Sequence, residues 1–391
     1  MANNYNSGTT YEIVCPFCFR RYSHLKALFV DNRQTSEGMY PEYAEYMRYF
    51  LNMEPFGGRK MPLYFQKAQN DGLPDQFAAV TETGDFAFER ACPFCCNIIP
   101  AAAGRVKPFS VVVIGADDAE RSFFIASALH RMNRDMQAAF GASFIPADYK
   151  TAQTFYEQYE EPLYAEHIIP EASAAITPLI YEFARTGVSV TEEWKGSSVT
   201  YNNALLYIYN IDKDLCDRYP MIAHTAIAQA NGFVFIADAE KIAAGTEALS
   251  DPWLGYLTGT LRKIFGVATV DKPTAIVLGK ADKTDMRDKK WSATVKAAVG
   301  ENMKKAFPAP QYAKYSERTV NMLKNAAPGY QSAIETLFVK ENTMYFPLPE
   351  FFEQHDDGTA DIKGPVPAEI PLLWLLSKFC AINSAAGTVI I

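Results

Sequence analysis

Four of the seven cysteines in this 391-residue chain lie in two copies of the tetrapeptide CPFC, at positions 15–18 and 92–95. A Cys-x-x-Cys turn brings two thiolates to one side of a metal ion, and two such turns supply the tetrahedral thiolate set that Zn²⁺ prefers. Since thiolates would fill all four positions, we expect the zinc to be structural. The repeat predicts as its ligands Cys15, Cys18, Cys92 and Cys95.

Two alternatives remain open for these cysteines. The insertion between Cys18 and Cys92 is much longer than the usual zinc-ribbon spacing, so the two turns could instead hold buried free thiols. Cys96 could also take the place of Cys95, although the repeat of CPFC favours Cys95. The region that carries these motifs, residues 1–105, is rich in Tyr and Pro and is expected to form a small zinc-ribbon-like region.

A second pattern, VVVIGADDAERSFF at 111–124, has the outline of a phosphate-binding P-loop, G-x-x-x-x-G-K-[ST]. Such a loop wraps phosphates with backbone N–H groups at a helix N-terminus, while its Lys bridges the outer phosphates. In this alignment Gly115 begins the loop and Ser122 stands at the position of a Mg²⁺ ligand. Glu120 replaces the second Gly, and Arg121 replaces the Lys.

Two later segments match the remaining nucleotide motifs in the order that a GTPase has them. YNIDK places Asn210 and Lys213 where the D-x-x-G motif has its Asp and Gly, and LGKADK resembles the guanine-reading [NT]-K-x-D. In the latter, Lys280 would lie along the base and Asp282 would accept its two N–H donors. Each residue has a plain alternative, a solvated Lys280 and an Asp282 that caps a helix, but three ordered matches favour a nucleotide-type domain.

The elements that would position these motifs begin at Phe109, where strand-like runs start to alternate with helical patterns. Continuous apolar strands separated by helices indicate a parallel sheet covered on both faces. We therefore predict an α/β domain over residues 106–391, with VVVIG as a central strand of a mostly parallel sheet and helices on both faces. The other expected elements are the strands ALLYIY, GFVFIAD, TAIVLG and MYF, helices near 124–136, 218–230 and 252–265, a loop at 353–367 and a last helix at 370–382.

The combination of these segments resembles the TRAFAC-class GTPases, in particular the bacterial double-GTPase proteins. The resemblance covers VVVIGADDAERSFFIASALHRM, ALLYIYNIDKD, ANGFVFIADAEKI, PTAIVLGKADKTD, the terminal PLLWLLSKF and the N-terminal CPFCFRRY. It implies a Ras-like P-loop GTPase domain that carries a zinc-ribbon-like extension. It also implies a second GTPase as a partner and a role in a bacterial conflict (defence) system.

The departures from these motifs affect the positions that handle charge in phosphoryl transfer. Asp117, Asp118 and Glu120 put three carboxylates around a site for a polyanion, and one like-charge contact at ~4 Å costs on the order of 4 kcal/mol at a surface-like dielectric. Asn210 lacks the carboxylate that holds Mg²⁺ through water, and Gly279 removes the side chain that braces the guanine loop. The sequence therefore predicts little or no binding of GTP or GDP with Mg²⁺, and no catalytic residue.

The composition argues against several other classes of protein. The formal net charge of −8, without clusters of Lys and Arg, argues against a nucleic-acid partner. The start of the chain lacks a basic segment followed by an apolar one, and IPLLWLLSKFCAI is too short to cross a bilayer, so we expect a cytoplasmic protein without a membrane partner. The five His residues are scattered, and neither H-E-x-x-H nor G-x-S-x-G occurs.

Three hypotheses of function follow. The favoured one is a pseudo-GTPase, a P-loop fold kept as a scaffold that binds a protein partner such as a second GTPase-like protein. The alternative is a working GTPase with an atypical P-loop that uses Arg121 and metal differently. The third is a zinc-containing structural protein whose α/β domain has no nucleotide history. The phosphate loop separates the first two hypotheses, because an intact Gly-Lys pair would favour a working GTPase and is absent.

Overall fold

The fold is known from a computed structural model. The predicted last helix at 370–382 is described up to residue 379. The described residues are 12–36, 41–52, 61–73, 75, 77–115, 117–171, 175–185, 190–194, 197–201, 203–244, 252–266, 269–284, 307–363 and 366–379.

Most of the regular elements described in the N-terminal region are short antiparallel strands. They are Glu12–Val14 (β1), Arg21–Ser23 (β2), Leu28–Ser36 (β3), Met61–Phe65 (β4), Ala79–Val80 (β5), Phe86–Ala87 (β6), Arg90–Ala91 (β7) and Ile98–Ile99 (β8). β1 pairs with β2 and β5 with β6, while the other four form a sheet of order β4-β3-β7-β8. Helix Pro41–Tyr49 (α1) packs inward through Tyr46, whose ring stacks on those of Tyr43 and Phe50 at 6.4 and 5.5 Å.

The rest of the described chain is organised around a seven-stranded sheet of order β10-β11-β14-β9-β15-β16-β17. Among these seven described strands, β11 runs in the direction opposite to the other six. β12 and β13 form a separate hairpin, as do β18 and β19. The bounds of these strands are Lys107–Gly115 (β9), Ala142–Pro146 (β10), Leu179–Arg185 (β11), Val190–Trp194 (β12), Ser197–Tyr201 (β13), Asn203–Asn210 (β14), Gly232–Asp238 (β15), Thr274–Gly279 (β16), Thr343–Pro347 (β17), Phe352–Gln354 (β18) and Ala360–Ile362 (β19).

Helices cover both faces of this sheet. They are Asp118–Phe140 (α2), Tyr149–Phe155 (α3), Glu161–Tyr164 (α4), Lys213–Arg218 (α5), Pro220–Gln229 (α6), Ala239–Ala243 (α7), Pro252–Phe265 (α8), Ala309–Ala326 (α9), Pro328–Leu337 (α10) and Glu369–Lys378 (α11). Along β9, Val111 and Val113 enter a core with α2 and α11, whereas Val112 and Ile114 enter a core with α6 and α8. The second core also contains the CPFC turns, so the N-terminal region packs on that face.

The prediction of a mostly parallel sheet with helices on both faces is confirmed, and VVVIG lies between the strands that contain ALLYIY and GFVFIAD. The predicted loop at 353–367 is wrong in part, because it contains most of the hairpin β18–β19. Gly358, with a φ of 86°, lets the chain reverse there. Among the residues that the structure describes, no helix combines the length and apolar character needed to cross a bilayer.

The last residue of β9 must be glycine, which gives a first test of the fold. Gly115 has a φ of 94°, and a Cβ at this position would lie 2.1 Å from the carbonyl oxygen of Ile236 on β15. We expect Gly115→Ala to lower the free energy of unfolding by ~3 kcal/mol, because the two strands would have to separate. Gly141→Ala is the matched control, since Gly141 has a φ of 63° but open space around it.

The control variant should lose only ~1 kcal/mol, the cost of a left-handed backbone without a steric clash. Urea denaturation of both variants measures the difference. Equal losses would contradict the close approach of β9 and β15.

Candidate metal centre and candidate phosphate site

Four buried thiols come together in the N-terminal region, all within 4.8 Å of one another: Cys15, Cys18, Cys92 and Cys95. The Sγ atoms of Cys15 and Cys95 are 3.6 Å apart, and those of Cys18 and Cys92 are 3.7 Å apart. A disulfide would need ~2 Å. Zn–S bonds of ~2.3 Å give a tetrahedron with edges of ~3.8 Å, so four thiolates at this spacing could bind a metal such as Zn²⁺.

The two CPFC turns repeat the same backbone geometry. In the first turn, the amide of Phe17 donates to Cys15 Sγ over 3.4 Å, and the amide of Phe19 donates to the Cys15 carbonyl over 2.9 Å. In the second turn, Phe94 and Cys96 make the equivalent bonds to the first cysteine, at 3.4 and 3.0 Å. Amide donors aimed at sulfur favour its thiolate form, which is the form that binds metal.

Cys96 lies outside the group of four thiols. Its side chain packs in a small buried cluster with Leu28 and Val30, so the geometry groups Cys95 rather than Cys96 with the other cysteines. Burial raises the pKa of the Cys15 thiol, whereas hydrogen bonds from neighbouring thiols lower that of Cys92. Because burial and mutual repulsion oppose four thiolates, ionising the whole set requires a bound cation.

The first CPFC turn is anchored on the central sheet. The Tyr209 hydroxyl donates to the Pro16 carbonyl over 2.8 Å, and the rings of Phe19 and Tyr209 are 5.6 Å apart. Tyr209 lies on β14 beside Asn210, the last residue of that strand. The thiol cluster and one of the nucleotide-motif residues are therefore supported by the same strand end.

The nucleotide-motif residues meet at the carboxyl ends of the parallel strands. β9 stands between β14 and β15, so the chain connections leave the centre of the sheet toward opposite sides. Open α/β sheets bind ligands in the crevice outside such a point. Gly115, Asn210 and Lys280 lie at or just after the ends of β9, β14 and β16.

Arg121 fills the centre of this edge with a side chain that is 1% exposed. Its Nη1 donates to the Gly115 carbonyl over 2.8 Å, and its Nε donates to Asn210 Oδ1 over 3.2 Å. Its Nη2 pairs with Asp118 and lies 3.9 Å from Asp212 Oδ2. The charge of the guanidinium is thus neutralised inside the chain.

Lys280 is paired in the same way. Its Nζ lies 2.6 Å from Glu120 Oε1 and 2.7 Å from Asp238 Oδ2. Glu120 is 3% exposed, and burial, opposed by Lys280, raises the pKa of its carboxyl to about 7. Within the described part of the chain, Glu120 Oε2 has no hydrogen-bond partner. A buried carboxylate is therefore held here by an ion pair alone.

Asp117 completes the set by capping α2. Its carboxylate accepts a hydrogen bond from the Glu120 amide over 3.0 Å, which neutralises the positive end of the helix. Each carboxylate of the turn therefore has its own positive partner: the helix N-terminus for Asp117, Arg121 for Asp118 and Lys280 for Glu120. The expected repulsion within the turn is offset by these three separate contacts.

Two further predicted nucleotide residues also make internal contacts. The hydroxyl of buried Ser122 donates to the Glu171 carbonyl over 3.4 Å. Asp282 accepts from the Glu350 amide over 2.7 Å, which ties the segment after β16 to the segment after β17. Asp282 therefore connects two loops. The plain alternative from the sequence was that it caps a helix. Lys213 begins α5 with a side chain that is 53% exposed.

Sequence reasoning missed Asp212 and Asp238. Asp212 caps α5 through the Leu215 amide, and burial raises the pKa of its carboxyl. Asp238 ends β15, caps α7 and pairs with Lys280. Both residues lie at or just beyond the end of an apolar strand. Their position could have identified both residues from the sequence, because the carboxyl ends of parallel strands converge at one edge of the sheet.

The comparisons with known proteins add little to this geometry. No family model matches the chain, and no curated protein matches it. A matching solved structure, the crystal structure analysis of Sup35 complexed with GMPPNP, has 13% sequence identity and a TM-score of 0.23. The match covers 62% of this chain and 37% of that chain, and at this TM-score it supports no argument. The sheet topology is compatible with a P-loop-like fold.

The raised pKa of Glu120 predicts a pH-dependent stability. Between its unfolded value of 4.5 and about 7, the folded state binds the proton more tightly, so the free energy of unfolding falls as the pH rises through this window. The contribution of this one group is about 3 kcal/mol. We expect Glu120→Gln to remove it, as seen by urea denaturation of both proteins at several pH values.

Glu335→Gln is the control for this experiment. A hydrogen bond from Lys324 lowers the pKa of Glu335, so the wild-type contribution there grows as the pH rises and the difference has the opposite sign. If wild type and Glu120→Gln show parallel pH profiles, Glu120 does not carry the raised pKa.

Proposed function

We propose that this protein is a zinc-stabilised pseudo-GTPase, a P-loop-like α/β domain that binds a protein partner and does not hydrolyse GTP. The observation that carries the proposal is the pairing of its cations. Phosphoryl transfer requires cations placed on phosphate oxygens. At this sheet edge, Arg121 and Lys280 are instead held by carboxylates of the same chain.

The burial of Arg121 argues further against a role in phosphate binding. To reach a triphosphate, the guanidinium would have to leave the Gly115 carbonyl, Asn210 and two carboxylates. Breaking a buried ion pair costs ~3–5 kcal/mol when one partner is left behind. The same movement would leave Asp212 buried without its cation. A nucleotide would therefore have to replace internal contacts that are already complete.

The support for Mg²⁺ is equally weak. Asn210 uses its side-chain oxygen for Arg121, and Ser122 uses its hydroxyl for the Glu171 carbonyl. Mg²⁺ prefers carboxylate oxygens and phosphates in octahedral geometry. Two carboxylates of this edge, Asp118 and Asp212, face Arg121 instead.

We assign the four-thiol cluster to one structural Zn²⁺, in a zinc-ribbon-like region. Its ligands would be Cys15, Cys18, Cys92 and Cys95, which leave no position for substrate. Zinc bound there would join two turns that lie far apart in sequence and would hold the first of them against Tyr209. Metal affinity would then contribute directly to the folding of the N-terminal region.

The proposed partner is a protein, with a second GTPase-like protein of a bacterial defence system as the specific candidate, and the proposed location is the cytoplasm. Two exposed aromatic residues support an interaction role. Phe86 and Phe88 are 60% and 66% exposed, with ring centroids 6.2 Å apart. Large exposed apolar side chains that lie together are typical of interaction surfaces.

The pseudo-GTPase proposal predicts that purified protein incubated with GTP and Mg²⁺ releases no phosphate above background, alone or with its candidate partner. Calorimetric titration with GTP or GDP should likewise show no tight binding, because the internal ion pairs must break first. Turnover that disappears in Ser122→Ala would favour the alternative, a working GTPase with an atypical P-loop. Weak binding without turnover that disappears in Asp282→Asn would indicate guanine recognition through Lys280 and Asp282.

The zinc proposal predicts about one Zn²⁺ per chain in protein purified under reducing conditions without chelator. Cys15→Ser should lose the metal and increase hydrogen exchange in residues 12–105, while the central sheet keeps its protection. Cys96→Ser is the matched control, because Cys96 is buried and adjacent to Cys95 but lies outside the thiol cluster. Zinc loss in Cys96→Ser alone would show that the ligand set is wrong.

A further inference from the structure

The four thiols of the cluster differ in the N–H groups that reach them. The first cysteine of each CPFC turn accepts a hydrogen bond from the backbone amide two residues later, over 3.4 Å in both turns. Among the described residues, no backbone amide donates to the sulfur of the second cysteine of either turn. The two CPFC turns can therefore differ at these second cysteines, Cys18 and Cys95.

A side chain supplies a donor in the second turn. Asn97 Nδ2 lies 3.3 Å from Cys95 Sγ and 3.4 Å from the Cys95 carbonyl oxygen. The backbone of Asn97 is fixed by the same turn, because the Cys92 amide donates to the Asn97 carbonyl over 2.9 Å. In the first turn, by contrast, no N–H group of the described chain donates to Cys18 Sγ, which lies 3.7 Å from Cys92 Sγ.

Arg20 occupies in the first turn the place that Asn97 occupies in the second. Each residue follows the first cysteine of its turn by five positions, and each accepts that cysteine's amide through its own carbonyl, over 3.0 Å at Arg20 and 2.9 Å at Asn97. The Arg20 side chain, however, pairs with Glu45 over 2.7 Å, and its guanidinium carbon lies 4.9 Å from the centre of the Phe94 ring. The same backbone position therefore provides a side-chain donor to sulfur in the second turn and not in the first.

An N–H donor matters at this cluster because four thiolates around one Zn²⁺ keep a net negative charge. The four cysteines are at most 3% exposed, so water gives them little help. A hydrogen bond to a charged acceptor is stronger than one between neutral groups. Residues that hydrogen-bond metal ligands orient those ligands, and their loss typically weakens metal binding by about 10- to 100-fold. Asn97 lies where it can act in this way on Cys95.

We propose that Asn97 is the positioning residue of the metal centre, whose side-chain amide orients Cys95 Sγ and stabilises the negative charge on this sulfur when Zn²⁺ is bound. The inference rests on the proposed zinc site and adds a residue outside its four ligands. It makes the two CPFC turns unequal. Cys95 is the supported ligand, and Cys18 is the more electron-rich sulfur of the pair.

The test replaces Asn97 in the full chain by two residues that cannot donate. Leu is similar in size, and Asp is similar in shape but brings a carboxylate. Competition with a chromophoric chelator measures the affinity for Zn²⁺. Asn97→Leu should bind Zn²⁺ at least about 10-fold more weakly than wild type. Asn97→Asp should lose more, because its carboxylate repels the thiolates.

Arg20→Leu is the matched control, because it places the same side chain at the equivalent position of the first turn and removes no donor to sulfur. Its affinity for Zn²⁺ should stay close to that of wild type. Cooperative thermal unfolding of each protein confirms that it is folded, and Asn97→Asp carries the test if Asn97→Leu does not fold.

A spectrum with Co²⁺ in place of Zn²⁺ separates a direct role of Asn97 from a purely structural one. The energy of the charge-transfer band from thiolate to metal depends on the electron density of the sulfurs, which a hydrogen bond lowers. The band should therefore move to longer wavelength in Asn97→Leu and stay in place in Arg20→Leu.

Equal Zn²⁺ affinity in wild type and both Asn97 variants would overturn the proposal. Weaker binding by Asn97→Leu with an unshifted Co²⁺ band, or an equal loss in Arg20→Leu, would reduce Asn97 to a structural role and overturn it as well. The proposed zinc site would stand in both cases, because wild type would still bind the metal. Wild-type protein that binds no Zn²⁺ is a different outcome, which would contradict the zinc site itself and this inference with it.

Discussion

A guanidinium without access to water is the constraint on which this edge of the molecule depends. Arg121 is 1% exposed, and a buried cation is tolerated only where acceptors surround it. Its acceptors come from the end of β9, the end of β14, the first turn of α2 and the start of α5. Four elements must therefore keep their relative positions, because a shift in any one leaves a buried charge with fewer partners.

The second ion pair extends the same constraint across the sheet. Lys280 joins α2 to β15 through Glu120 and Asp238, so the edge is fixed from β14 to β16. Such charge pairs contribute little net stability compared with apolar packing, but they specify one arrangement. The apolar cores on the two faces of β9 supply the driving force for folding. The polar edge selects which strand ends meet.

The sequence predicts best what depends on local composition. The strands at 232–238 and 274–279 were identified to the residue, because continuous apolar runs have few alternatives in an α/β domain. The edge strand β10 and its neighbour β11 were not predicted, since their alternation is weak and their pairing is decided by tertiary contacts. The repulsion expected among Asp117, Asp118 and Glu120 is offset, because each carboxylate has its own positive partner. These partners could not be predicted, since they cannot be read from spacing along the chain.

The hydrogen bond between Tyr209 and Pro16 has a consequence for the order of folding. It joins residues 193 positions apart, so it closes a very long loop. Loop closure of this length has a high entropic cost, and contacts between distant residues form late when a chain folds. During synthesis, the first CPFC turn leaves the ribosome long before β14 exists. The N-terminal region therefore cannot pack against the central sheet until β14 has been synthesised, when more than half of the chain has emerged.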